Sequence, residues 1–131
     1  MGSFLSSFIG GSSEGSSAAS DSPDNNRVKT CHSSELLHHY INETSRLVVI
    51  DFSASWCGPC KIMEPIIRAM ANEITDVDFV KIDVDELSDV AQKFEVQAMP
   101  TFVLWKERKE IDRLVGARKD ELKTMIQKHI A

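Results

Sequence analysis

The chain has 131 residues, 42% of them hydrophobic, which is enough for one modest core and a single domain. Fifteen Lys and Arg against twenty Asp and Glu give a net charge of −5, and no basic stripe interleaved with aromatics occurs, so nucleic acid is excluded as an expected partner. No apolar run approaches the roughly 18 residues of a membrane span, and three cysteines without an export signal imply a reducing compartment, where a thiol pair serves chemistry more often than structure.

Residues 1–26 are dominated by Ser and Gly, hold no large apolar residue after Ile9, and are predicted to be a disordered N-terminal extension, leaving 27–131 as the domain. Phe4, Leu5, Phe8 and Ile9 share helical spacing, which suits a membrane-facing turn, a transit-peptide fragment or a sticky end. Transit peptides are Arg-rich and the first basic residue here is Arg27, so a mitochondrial address is disfavoured against the cytoplasm. Met1-Gly2-Ser3-Phe4-Leu5-Ser6 fits the M-G-x-x-x-[ST] pattern for myristoylation of Gly2. A single such chain binds membranes only marginally and reversibly, and neither a nearby cysteine nor a basic cluster supplies a second signal.

Val28 to Cys31 reads as a short strand, followed by an N-cap at Ser33 or Ser34 and a helix through Leu36, Leu37, Tyr40 and Ile41. Cys31 fits a small core residue better than a regulatory thiol, and His32, His38 and His39 fit a solvated face better than a metal site. Leu47 to Phe52 is an apolar, β-branched run expected to be buried on both faces. Ile62, Met63, Ile66, Ile67, Met70, Ala71 and Ile74 then recur at helical spacing, with Pro65 expected to kink that helix. Val77 to Asp83 gives a third strand and Glu86 to Phe94 a short helix. Ala98 to Thr101 forms a turn into Phe102–Trp105, Ile111 to Val115 pairs with it, and Leu122, Met125, Ile126 and Ile130 mark a closing helix. Early alternation and a final hairpin predict an α/β fold: a mixed five-stranded sheet flanked by about four helices.

Trp56-Cys57-Gly58-Pro59-Cys60 lies at the junction of the second strand and the second helix. Two thiols separated by two residues fit the first helical turn, close enough for a disulfide, with Cys57 expected to be the exposed one. Unpaired N–H groups and the macrodipole there favour a thiolate and lower the Cys57 pKa. A structural zinc site lacks its second ligand pair, and a static disulfide closing so short a loop gains little, so redox chemistry is the reading left. Asp51 is a carboxylate in a run otherwise built for burial, so its pKa should be raised, and it could accept the Cys60 proton. Gly58 permits close approach of another backbone, and Pro59 stiffens the pair.

The W-C-G-P-C motif after an apolar strand ending in Asp51-Phe52 resembles the thioredoxin family, and Ser53 to Lys61 (SASWCGPCK) resembles its plant h-type group. The similarity runs from about Val28 to Ile130. It implies a protein-disulfide reductase without cofactor, in which Cys57 attacks a target disulfide, Cys60 resolves the mixed disulfide, and Asp51, with Lys81 as neighbour, serves Cys60. A thiol pKa of about 7 and a potential of about −270 mV belong to thioredoxin itself and come with the resemblance. Trp56, Met99-Pro100, with Pro100 cis, and Val115-Gly116-Ala117 are implied to face protein substrates as an apolar patch. The expected electron donor is an NADPH-linked thioredoxin reductase or glutathione with glutaredoxin, and the expected state a monomer. Lys106-Glu107-Arg108-Lys109 departs from the family, which usually has a glycine in this hairpin. A disulfide isomerase or oxidase, and a redox-inert docking module, remain the rival readings.

Overall fold

The computed structural model describes residues 26–130. The expected extension up to residue 25, including the Gly2 pattern and the Phe4 to Ile9 cluster, lies outside the described residues. The elements are β1 (Val28–Thr30), α1 (Ser34–Glu43), β2 (Leu47–Ser53), α2 (Gly58–Glu73), β3 (Val77–Asp83), α3 (Ser88–Lys93), β4 (Thr101–Lys106), β5 (Lys109–Val115) and α4 (Lys119–Ile130). They form one five-stranded sheet in the order β1-β3-β2-β4-β5. β3 pairs parallel with β1 and β2, while β4 pairs antiparallel with β2 and β5, which is the mixed sheet the element pattern predicts.

β2 is central, and all seven of its residues are buried, as a β-branched run flanked by strands and covered on both faces should be. Alternation along it divides the core. Val48, Ile50 and Phe52 pack with Leu37 and Ile41 of α1 and Val90 of α3. Leu47 and Val49 pack with Met63 and Ile67 of α2 and Leu122 and Ile126 of α4. Phe52 and Phe102 are fully buried, and each such side chain stabilises the fold by about 1.5–3 kcal/mol. By the same alternation Asp51 of β2 and Lys81 of β3 share the face covered by α2.

Several boundaries differ from the expected ones. Ser33 is the N-cap of α1, its Oγ accepting from the Leu36 N–H at 3.2 Å. The helix expected over Glu86 to Phe94 is only Ser88–Lys93. Asp83 accounts for its late start: its side chain accepts from the Asp85 N–H at 2.8 Å and its carbonyl from the Glu86 and Leu87 N–H groups, so the chain makes a turn first. Ile62, counted with the inward face of α2, is 65% exposed, and Leu36 of α1 is also exposed. Pro65 lies inside α2, which runs on to Glu73. Cys31 is fully buried, its thiol donates to the Ser33 carbonyl at 3.2 Å, and burial pushes its pKa up, as suits a core residue.

The β4–β5 hairpin resolves the question raised by its missing glycine. Lys106 pairs with Lys109, so the loop has two residues, and both Glu107 (φ 54°) and Arg108 (φ 67°) take positive φ, as a type I′ turn requires. Side chains with a Cβ are strained there. Replacing the pair by the favoured turn sequence, Glu107→Asn with Arg108→Gly, is expected to raise stability by about 1 kcal/mol, even though it removes the Arg108 Nε contact to the Asn42 carbonyl. Urea unfolding measures this, and an unchanged or lower midpoint would contradict it.

Candidate active site

Cys57 is the N-cap of α2, in extended conformation (φ −91°, ψ 113°), with Gly58 and Pro59 opening the helix. Pro59 falls where a backbone N–H has no intrahelical acceptor, so its ring costs the helix nothing. Cys57 and Cys60 are joined in a disulfide with Cα atoms 5.3 Å apart, which makes this the oxidised form. The Cys60 N–H points at the Cys57 sulfur at 3.1 Å, beside the N-terminus of α2.

The expectation that Cys57 is the open member of the pair needs correction, since both cysteines are 5% exposed. They pack with Ala54, Val84 and Met99, and the Cys57 sulfur lies 3.6 Å from the Met99 carbonyl oxygen. What opens the site is its neighbour: a Cβ built on Gly58 would meet no atom within 4 Å. Trp56 is 64% exposed and is steadied by its Nε1–H donating to Asp85 at 2.9 Å. Gly58, Pro59, Val115 and Ala117 are exposed, Met99 and Gly116 are half-buried, and Pro100 is buried. Pro100, whose bond to Met99 is cis, therefore sits behind the patch. Its carbonyl accepts from the Gly116 N–H at 2.8 Å, tying together the two loops expected to face substrate. Gly116 has φ +107°, a conformation that a side chain would strain.

Two buried carboxylates on the central strands differ instructively. Asp78 is satisfied by the Tyr40 hydroxyl and by Arg46 Nε at 3.0 Å. Asp51 Oδ1, among the described residues, is the one buried side-chain nitrogen or oxygen without a hydrogen-bond partner. Burial pushes its pKa up to about 7, with nearby Lys81 pulling down and Glu64 pushing up. Asp51 borders a hollow of ≈ 80 Å³ shared with Glu64, Arg68 and Lys81. Cys60 borders a second, of ≈ 400 Å³, shared with Lys61, Glu64, Lys81 and Asp83. Glu64 and Lys81 line both hollows and form the polar wall that the two have in common. Glu64 and Asp85 went unnoticed in the sequence. Glu64 carried a signal, standing four residues after Cys60 on the same helix.

No group of three or more His, Cys, Asp or Glu able to hold a metal occurs among the described residues, and none of their helices is long and apolar enough to cross a membrane. Fold and site together define a dithiol–disulfide oxidoreductase. Residues 28–128 match the family model described as Thioredoxin. The chain is 50% identical over 130 residues to Thioredoxin H2 of Arabidopsis thaliana, covering 98% of each, and 44% identical to Thioredoxin H2-2 of Oryza sativa subsp. japonica, covering 100% of this chain and 97% of the other. The crystal structure of thioredoxin NaTrxh from Nicotiana alata superposes with a TM-score of 0.78 at 58% identity, over 83% of this chain and 97% of that one. The chain belongs to the thioredoxin family, resembles its h-type members, and is a protein-disulfide reductase whose redox centre is the Cys57/Cys60 pair.

Proposed function

We propose that Cys57 is the attacking thiolate, Cys60 the resolving thiol and Asp51 the acceptor of the Cys60 proton. Cys57 attacks one sulfur of a target disulfide, forming a mixed disulfide and expelling the first target thiolate. Cys60 then gives up its proton by way of water to Asp51 and attacks the Cys57 sulfur. The Cys57–Cys60 disulfide closes, the second target thiolate leaves, and the target has gained two electrons. The observation that carries this reading is the disulfide at the start of α2, with the Cys60 N–H directed at the Cys57 sulfur. Trp56, Gly58, Pro59, Met99, Val115, Gly116 and Ala117 form the contact surface for unfolded or extended target segments, with Pro100 as its support and Lys81 tuning Asp51.

The exposed part of this surface is largely apolar, with Trp56 64% and Val115 46% exposed, which favours protein targets of varied sequence. Electrons return from an NADPH-linked thioredoxin reductase, with glutathione and glutaredoxin as the second source. The domain of 27–131 acts as a monomer in the cytosol, and Gly2, if acylated, adds weak, reversible membrane association. Insulin-disulfide reduction, run separately with each donor, tests the assignment. We expect turnover with thioredoxin reductase and NADPH; turnover with neither donor would overturn the reductase reading, and turnover with glutaredoxin alone would overturn the choice of donor.

A further inference from the structure

Asp51 and Lys81 are register partners on adjacent parallel strands, and alternation turns both toward α2. At that spacing a lysine would ordinarily pair with the carboxylate and hold it ionised. The observed pairing is different. Lys81 Nζ donates to Glu64 Oε2 at 2.6 Å, while Asp51 Oδ1 has no partner. Glu64 and Lys81 also stand on the wall common to the Asp51 hollow and the Cys60 hollow.

We propose that Glu64 is a positioning residue for the resolving step: its ion pair holds the Lys81 ammonium at the junction of the two hollows, off the Asp51 carboxyl, leaving that carboxyl free to bind a proton. The proposal rests on the role given to Asp51 above. The charged groups facing Asp51 are Lys81 from β3 and Glu64 and Arg68 from α2, while β4 presents the apolar Phe102; Lys61 and Asp83 stand farther out, around Cys60. The directions of influence on Asp51 agree, Glu64 raising its proton affinity and Lys81 lowering it. Both partners are partly exposed, 48% for Glu64 and 28% for Lys81, so the ammonium can swing once its partner is lost.

The test is a titration of the Asp51 carboxyl by carbon NMR in the full-length oxidised protein, for wild type, Glu64→Gln, Lys81→Met and the double variant. Glu64→Gln is expected to lower the Asp51 midpoint by about one pH unit, and Lys81→Met to raise it. In the Lys81→Met background, Glu64→Gln should move the midpoint much less, because the cation it positions is gone. No shift or an upward shift in Glu64→Gln, or an equal downward shift in both backgrounds, overturns the proposal. The midpoint is read whether or not Asp51 takes the Cys60 proton. Failure of Glu64 to act is thus distinct from failure of the Asp51 role, which rapid-mixing kinetics of Asp51→Asn decide.

Discussion

Cys57→Ser is expected to abolish insulin reduction, by at least about 10³-fold, because it removes the nucleophile that begins every cycle. Cys60→Ser should fail in a different way. Its Cys57 still sits at the helix N-cap and still receives the N–H of residue 60, so attack proceeds, but nothing remains to expel the target and the enzyme stops after a single event. Steady-state rates and the amplitude of thiol release in the first turnover separate the two failures. Normal turnover by either variant would contradict the assigned chemistry.

Asp51→Asn should slow the resolving step by about 10²-fold while leaving the first attack nearly unchanged, since general-base assistance is lost only where Cys60 must be deprotonated. Rapid mixing under single-turnover conditions resolves the two steps, and equal slowing of both would contradict the role. The same substitution changes stability with pH. The Asp51 pKa rises from 3.8 to about 7 on folding, so the folded state is favoured by the neutral carboxyl, and that contribution, present below about pH 4, is lost as pH rises through about 7. The shift corresponds to about 4 kcal/mol at 1.36 kcal/mol per pH unit. An unpartnered Asn amide gives part of this back. Asp51→Asn is therefore expected to be more stable than wild type by about 1–3 kcal/mol near pH 8 and no more stable near pH 4, as read from urea midpoints.

The parts of this architecture written in local pattern were legible in the sequence. β3 occupies Val77–Asp83, the span read as the third strand, and β2 differs only by Ser53 at its end. Asp51 stood out because a charge in a run as apolar as Leu47 to Phe52 must be either partnered or functional. Features set by tertiary neighbours were not legible. Ile62 has the spacing of a core residue but falls on the outer side of α2, and α3 loses its expected first turn to the Asp83 side chain. Glu64 reads as any surface glutamate until the fold brings Lys81 of β3 to within 2.6 Å of it. The positive φ of Glu107 and Arg108 follows from the register of β4 against β5, which neither residue announces.

The central claim is that the sulfur at the helix N-cap attacks and the one a turn later resolves, and the covalent adduct of Cys60→Ser with a disulfide substrate tests it most directly. Peptide mapping by mass spectrometry of that adduct, prepared with the full chain under non-reducing conditions, is expected to find the substrate joined to Cys57 alone, and to find no stable adduct in Cys57→Ser. Substrate captured on Cys31, or a stable adduct on Cys60 in Cys57→Ser, would contradict the assignment.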